Sequence, residues 1–222
     1  MVVSGELRKR GVVECQPDPV TGRGGERRIA GGIGAKKVDV SLAREDMGLV
    51  LAVSLKGIYF PDVTLLKKSG KQYFAKNLIN RKGDMLAEAT TLHKRFPYAV
   101  LGGIFLFDAR AAMDSPDGKS TYHRAHDALE AFAGRESHAD ADERIEALAL
   151  GLISPDNSVR LSWVGDAAQD ITLEEFITYM LREVAARNAD HFEFVDGKLR
   201  KAGSSGRAEL EGGAENDEGD GT

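Results

Sequence analysis

An acid and a lysine, Asp39 and Lys56, have the side-chain types and the spacing that phosphodiester chemistry can use. Both lie in the arms of a predicted β-hairpin whose turn centres near Asp46. Antiparallel pairing across this turn sets Asp39 opposite residues 52–54, with Lys56 one step along on the same face. A carboxylate and an ammonium group so placed suit a metal-dependent phosphodiesterase, whereas a core hairpin with two peripheral charges is the alternative interpretation.

The hairpin is predicted from alternating polarity in residues 36–42 and 49–56, with turn-forming residues at 45–48. In the first arm, the alternation puts Val38, Val40 and Leu42 on one side and Lys37, Asp39 and Ser41 on the other. In the second arm, it puts Leu49, Leu51, Val53 and Leu55 on one side and Val50, Ala52, Ser54 and Lys56 on the other. Both arms therefore have the period of a β-strand.

A helix and a buried strand follow the hairpin. Residues 76–95 have helical periodicity, and Pro97 ends the pattern. Its apolar stripe consists of Leu78, Met85, Ala89, Leu92 and Phe96, and its polar stripe includes Asn77, Arg81, Asp84 and Glu88. Residues 98–108 are almost continuously apolar, which is typical of a strand buried on both faces.

The remaining patterns complete an α/β domain with a mixed sheet flanked by helices. They predict a helix or strand over 7–13, an excursion over 65–74, helices over 122–132 and 142–150, a strand over 159–164, a helix from a Thr172 cap to Arg187, and a strand over 191–195. We divide the chain into an N-terminal segment (1–35), one domain (36–202, with its core at 36–108) and a disordered acidic tail (203–222).

Composition and charge narrow the class of protein. The 222 residues contain no apolar run near the roughly 18 residues that span a bilayer, and the basic N-terminus lacks a signal-peptide core. The single cysteine, Cys15, excludes an internal disulfide and a cysteine-based zinc site. These features predict a cytoplasmic protein without a membrane partner. Residues 1–100 carry 18 Lys and Arg against 10 Asp and Glu, whereas residues 101–202 carry 11 against 19, so the basic half suits a polyanion.

The order of strand, strand, helix and buried strand over residues 36–108 resembles the restriction-endonuclease-like fold of the PD-(D/E)xK nucleases. In that pattern an Asp on one strand precedes Asp/Glu-x-Lys on the next. Asp39 and Lys56 match the Asp and the Lys, whereas Ser54 stands at the second acid. Restriction enzymes that cut sites containing CCGG carry Ser-x-Lys and have moved this acid to the helix as a Glu, seven residues after an Arg. Arg81 and Glu88 match that interval, although the family's other arginine would fall at Leu78.

The resemblance implies the catalytic residues Asp39, Ser54, Lys56 and Glu88. A Mg²⁺ ion, or Mn²⁺ in its place, would be held by Asp39, Glu88 and the carbonyl of Leu55, with Asp84 as the substitute ligand. Lys56 would orient the attacking water and offset charge in the transition state. In the alternative interpretation, Asp39 and Lys56 are solvated surface charges. Glu88 then pairs with Arg81, Lys94 or Thr91.

Other polar groups have weaker signals. Asn77, Asn80, Arg81 and Lys82 crowd the start of the helix, where they suit either nucleic-acid contacts or ordinary capping. Residues 31–36 lack the pattern of a phosphate loop and are interpreted as a flexible lead into the hairpin. His123 and His126 lack a third metal ligand at recognised spacing, and residues 138–143 lack the remaining positions of a calcium loop.

The sequence therefore predicts a Mg²⁺-dependent endonuclease that acts on double-stranded DNA as a homodimer, in restriction or defence. Two alternatives remain open. Because Ser54 stands in an acid position, the chain is also readable as a non-catalytic nucleic-acid-binding or assembly component that keeps the nuclease scaffold. The third alternative is a nuclease that acts on RNA or branched DNA.

Overall fold

The computed structural model describes residues 2–25, 27–58, 74, 77–115 and 118–203. Within these ranges the chain forms four α-helices and ten strands. The helices are α1 (Val2–Lys9), α2 (Leu78–His93), α3 (Thr121–Leu129) and α4 (Leu173–Arg187). The strands are β1 (Arg27–Ala30), β2 (Ala35–Val38), β3 (Val40–Arg44), β4 (Gly48–Gly57), β5 (Val100–Asp108), β6 (Ala147–Ile153), β7 (Val159–Trp163), β8 (Asp170–Ile171), β9 (Phe192–Val195) and β10 (Lys198–Lys201).

Six of the strands form one mixed sheet, in the order β3-β4-β5-β6-β7-β8. The three central strands, β4, β5 and β6, are parallel, and the strands toward each edge pair antiparallel. The chain crosses from β4 to its parallel neighbour β5 through a connection that contains α2. The predicted α/β class with a mixed sheet flanked by helices is confirmed at this level. The more specific resemblance to the nuclease fold stays a prediction.

Helices cover both faces of the sheet. One apolar cluster joins Val53 and Ile104 to residues of α1 and α4, and the other joins Ala52 and Phe105 to residues of α2 and α3. Because neighbouring residues of a strand point to opposite faces, the two clusters lie on opposite sides of the sheet. Val3 and Leu7 of α1 are buried in the first cluster, so the start of the chain packs with the sheet.

Two consecutive glycines in β5 let helices approach both faces of the sheet closely. A Cβ added at Gly102 would lie 2.6 Å from Met180 Sδ of α4. A Cβ added at Gly103 would lie 2.9 Å from Met85 Cε of α2 and 2.8 Å from Leu148 Cδ1. β5 therefore has glycines at the two positions where helices pack closely against its opposite faces.

The predicted first arm of the hairpin differs from the structure. Residues 36–42 form two strands, because the chain bends at Asp39, between β2 and β3. The strand β2 pairs with β1, whereas β3 pairs with β4. Val38 consequently lies in the α2-side cluster and Val40 in the opposite one, so the expected common face was wrong.

A β-bulge changes the alternation in the second arm. Leu42 pairs with Leu51, but Ala43 pairs with Leu49, so Val50 is the extra residue. Leu51 and Val53 share one cluster with the partly buried Leu55, as the alternation predicts, whereas Leu49 lies in the other. The alternation that governs Ser54 and Lys56 begins after the bulge.

Most of the later predictions are confirmed, but one is wrong. The helix predicted over 76–95 is α2, and Thr172 caps α4 in a capping box with Glu175. Instead of a helix over 142–150, the chain forms β6 from Ala147. Alanine and leucine favour helices intrinsically, but here they lie between β5 and β7, where a buried strand is required. The excursion predicted over 65–74 and the tail over 203–222 lie outside the described residues, apart from Phe74 and Gly203.

A buried ion cluster links the sheet to the helices on both sides. Glu146, just before β6, lies 3.1 Å from Arg135 Nη1 and 3.3 Å from His93 Nε2, and it pairs with Arg187 at the end of α4. Its other oxygen accepts the N–H of Leu101 at 2.9 Å. The side chains of Glu146, His93 and Arg135 are fully buried. This cluster joins α2, α4, β5 and the start of β6.

Candidate active site

Three separate parts of the chain meet at the end of β4. Asp39 lies in the bend before β3, Ser54 and Lys56 lie in the last part of β4, and Glu88 lies in the second half of α2. The pairing of Val40 with Val53 continues to set Asp39 beside Ser54, as the hairpin predicted. The backbone N–H of Leu55 donates a 2.6 Å hydrogen bond to Asp39 Oδ2. This bond fixes the Asp39 carboxylate at the edge of the cluster.

Glu88 is the centre of the cluster. Its Oε1 accepts a hydrogen bond from the Ser54 hydroxyl, and its Oε2 accepts one from Lys56 Nζ at 3.1 Å. Glu88 is 8 % exposed and Ser54 is 2 % exposed, so this contact is shielded from water. The sequence offered Arg81 and Lys94 as possible ion-pair partners of Glu88. In the structure the cation that pairs with Glu88 is Lys56.

Local sequence explains why these side chains meet. In β4, Ala52, Ser54 and Lys56 alternate onto the α2 side of the sheet. In α2, Met85, Ala89 and Leu92 form the buried stripe, and the spacing of Glu88 from Met85 and Leu92 sets it on the same side. Packing that stripe on the sheet therefore brings the Glu88 carboxylate to the end of β4.

The environment of Glu88 favours its protonated form. Burial raises the pKa of the Glu88 carboxyl above its ordinary value, and the charge of Asp39 raises it further. The Lys56 ammonium and the Ser54 hydrogen bond act in the opposite direction but do not cancel the effect of burial. A cation bound beside Asp39 and Glu88 would favour the ionised form of Glu88 and offset the repulsion between the two carboxylates.

The oxygen atoms of this cluster are of the type that a hard divalent cation binds. Mg²⁺ is commonly held by one or two carboxylates together with waters and substrate phosphates, so Asp39, Glu88 and the Leu55 carbonyl are suitable protein donors. In the part of the chain that the structure describes, no group of three or more His, Cys, Asp or Glu side chains is placed to hold a metal ion. A site with two carboxylates therefore depends on water and substrate for the rest of its coordination.

The structure separates Asp84 from this cluster. The side chain of Asp84 is 60 % exposed and lies 3.6 Å from Arg81 Nη1, in an ion pair one turn before Glu88. The acid of α2 that meets Lys56 is Glu88, although both acids belong to the polar stripe predicted from the sequence.

The four residues predicted to contact nucleic acid lie at the start of α2. Asn77 is half-buried and donates from Nδ2 to the Gly57 carbonyl at 3.4 Å, which ties this end of α2 to the end of β4. Asn80 and Arg81 are exposed. Lys82 is half-buried, with Nζ 5.5 Å from the centre of the Phe132 ring.

The histidines and the acidic segment that gave weaker signals in the sequence make contacts within the fold. His126 is buried and its Nε2 lies 3.3 Å from Ser162 Oγ; burial lowers the pKa of its imidazole to about 4. His123 pairs through Nδ1 with Ser120, the cap of α3. Asp140 accepts the N–H groups of Glu136 and Ser137, both at 2.9 Å, in a local turn. Residues 31–34 form the turn that connects β1 to β2.

Sequence reasoning missed the basic hairpin that leads into the site. We use this name for β1 and β2, which carry Arg27, Arg28, Lys36 and Lys37 and pair antiparallel. The available signal was the pair of basic dipeptides on either side of a glycine-rich turn.

Comparisons with protein-family models, with curated proteins and with solved structures found no match. Within the described residues, no helix has the length and apolar character needed to cross a membrane.

Proposed function

We propose that this chain is a Mg²⁺-dependent endonuclease that hydrolyses double-stranded DNA, with a restriction-endonuclease-like fold and a role in restriction or defence. One observation carries the proposal: Asp39, the Ser54-Leu55-Lys56 segment and Glu88 converge at the end of β4. These residues come from three separate parts of the chain and match the Asp, the Ser-x-Lys and the helix-borne Glu of the family that the sequence resembles.

The side chains have distinct tasks in this proposal. Asp39, Glu88 and the carbonyl of Leu55 would hold the cation, which is Mg²⁺ or, in its place, Mn²⁺. When bound, the cation supplies Lewis acidity toward the phosphate and lowers the pKa of a water. Lys56, held by Glu88 at 3.1 Å, would orient the attacking water and offset the charge that develops on the phosphate. Ser54 would keep the Glu88 carboxylate in position.

A plasmid assay tests the proposal. Purified protein with Mg²⁺ or Mn²⁺ should cut plasmid DNA, and Asp39→Asn and Lys56→Met should each reduce cleavage by about a hundredfold or more. Asp127→Asn is the matched control and should cut DNA like the wild type. Asp127 is an exposed acid on α3 that pairs with Lys119, outside the candidate site. Absence of cleavage of both modified and unmodified DNA by the wild type would refute the enzyme.

A homodimer is part of the proposal, because cutting both strands of a palindromic site requires two active centres related by two-fold symmetry. Sedimentation of the protein with and without a duplex tests this part separately from cleavage.

One observation favours the alternative of a non-catalytic nucleic-acid-binding component. Both oxygens of Glu88 already have hydrogen-bond partners in the protein, Ser54 and Lys56. A scaffold that had lost its chemistry would keep such a satisfied carboxylate. Titration calorimetry with Mg²⁺ and Mn²⁺ separates the two functions, since a scaffold of this kind would bind neither cation.

A further inference from the structure

The basic hairpin is attached to both halves of the candidate site. Its strand β2 ends at Val38, so the next residue along the chain is Asp39. Its turn is fixed to α2, where the N–H of Gly32 donates to the Thr91 carbonyl at 2.8 Å. A Cβ on Gly31 would lie 2.5 Å from the same carbonyl oxygen, so the contact requires a glycine. Ile29 and Val38 are buried beneath the hairpin in the α2-side cluster.

The outer part of this hairpin concentrates positive charge. Arg28 and Lys37 are directly opposite each other in the antiparallel register, and both are exposed. Arg27 is also exposed and Lys36 is half-buried. Among the described residues, no acid forms an ion pair with Arg27, Arg28 or Lys36.

Several exposed basic residues elsewhere are neutralised locally. Arg8 pairs with Asp18 at 3.0 Å, and Lys119 pairs with Asp127 at 2.7 Å. The contrast indicates that the charges of Arg27, Arg28 and Lys36 are available to an external anion.

Strand geometry sets the distance from these charges to the site. At about 3.3 Å per residue, Lys37 lies at most roughly 7 Å from Asp39 along the chain and Lys36 at most roughly 10 Å, and Arg28 lies beside Lys37 on the neighbouring strand. A nucleic-acid strand with its scissile phosphate at Asp39 and Glu88 would continue past these cations. The hairpin thus offers contacts to phosphates next to the one that is attacked.

We propose that the basic hairpin binds the phosphate backbone of duplex DNA beside the scissile bond, chiefly through Arg28 on its outer face and Arg27 at its open end. This inference rests on the proposed nuclease function. It specifies that the duplex DNA substrate lies across the basic hairpin. The contacts would position the strand without reading its sequence, because phosphates are the same at every base pair.

The test is the salt dependence of DNA binding by the full chain. Fluorescence anisotropy with a labelled duplex in EDTA gives the binding constant at salt concentrations from about 50 to 200 mM. Each phosphate contact adds about 0.9 to the slope of log K against log salt, so Arg27→Ala/Arg28→Ala should lower the slope by about 2. Binding at the lowest salt should weaken about tenfold or more.

The matched control is Lys198→Ala/Lys201→Ala. This variant also removes two exposed positive charges from a two-stranded antiparallel hairpin, β9–β10, which packs with α4 on the opposite face of the sheet. It should keep the wild-type slope.

Two results would overturn the inference: an unchanged slope in Arg27→Ala/Arg28→Ala, or equal losses in that variant and in the control. Binding of the wild type to anionic vesicles with no binding to duplex DNA would also overturn it. The plasmid assay is read separately. A wild type that cuts DNA while the hairpin variant keeps its slope refutes the hairpin alone, whereas a reduced slope without any cleavage refutes the nuclease and supports the DNA contact.

Discussion

At the level of single residues, the site depends on how Glu88 compensates for Ser54. A serine cannot hold a cation as a carboxylate does, so β4 by itself offers Lys56 without a second acid. The structure places Glu88 against both Ser54 and Lys56, in a buried position on the neighbouring helix. The proposed activity therefore depends on the ionisation and ligand role of this one carboxyl.

We expect Glu88→Gln to weaken Mn²⁺ binding at least tenfold in titration calorimetry, because an amide removes the charge while keeping the size of the side chain. Changes to residues that only support the ligands of a metal site commonly cost about 10–100-fold in affinity, so loss of a charged ligand should cost at least as much. Asp84→Asn serves as the control, since Asp84 is exposed and pairs with Arg81. Retained binding in Glu88→Gln, or an equal loss in Asp84→Asn, would contradict the assignment of Glu88 as the ligand.

The raised pKa of Glu88 also predicts a pH dependence of stability. The folded protein holds the Glu88 proton more tightly than the unfolded chain does, because burial disfavours the carboxylate. The stability from this effect is complete below the ordinary pKa of 4.5 and is lost as the pH rises through the raised value. Urea unfolding at a series of pH values should therefore show wild type losing free energy of unfolding relative to Glu88→Gln as the pH increases. Parallel pH profiles for the two proteins would argue against a raised pKa.

At the level of elements, the position of α2 on the sheet decides whether the site exists. Gly103 of β5 is the register partner of Ser54 and faces Met85 of α2. Gly102 faces Met180 of α4 on the other side. Gly103 therefore permits the close contact of α2, the helix that carries Glu88, whereas Gly102 permits the close contact of α4.

Gly103→Val should destabilise the fold by about 1–3 kcal/mol and also weaken Mn²⁺ binding, because the added side chain displaces α2 from β4. Gly102→Val should cause a comparable loss of stability on the α4 face while the folded protein keeps its Mn²⁺ affinity. Denaturant unfolding and calorimetry on both variants measure the two effects. If both variants lost cation binding equally, the contact of α2 with the sheet would not be the specific determinant.

At the level of the whole molecule, the Glu146 cluster joins elements from both faces of the sheet. Burial by itself would raise the pKa of the Glu146 carboxyl, but His93, Arg187 and the Leu101 N–H together hold it below its ordinary value. The sign is opposite to that of Glu88. The stability that the ionised Glu146 provides is present above the ordinary pKa and is lost as the pH falls.

Glu146→Gln should lower the free energy of unfolding by about 3–5 kcal/mol, because the amide leaves Arg135 without a counter-charge in a buried site and removes one of the two acids that pair with Arg187. The exposed Glu136 gives the control variant Glu136→Gln, which should change stability by less than about 0.5 kcal/mol. Urea denaturation at neutral pH measures both. Equal stability of the two variants would show that the cluster contributes no net stabilisation.

The sequence by itself determined those features that depend on neighbours in the chain. The alternation of Ser54 and Lys56, the stripe of α2, the apolar run of β5 and the capping box at Thr172 are local patterns, and each predicted its element correctly. The position of Asp39 opposite the end of β4 also followed, because turn position fixes the register of a hairpin.

Only the tertiary structure decided the rest, because burial and contact between distant segments are not local properties. The Ala- and Leu-rich residues of β6 have the propensity of a helix, and their place between two strands overrides it. The bend at Asp39 arises because β2 leaves the main sheet to pair with β1. Asp84 and Glu88 both belong to the polar stripe that the sequence of α2 predicts. Packing of that helix on β4 buries Glu88 against Lys56 and leaves Asp84 in solvent.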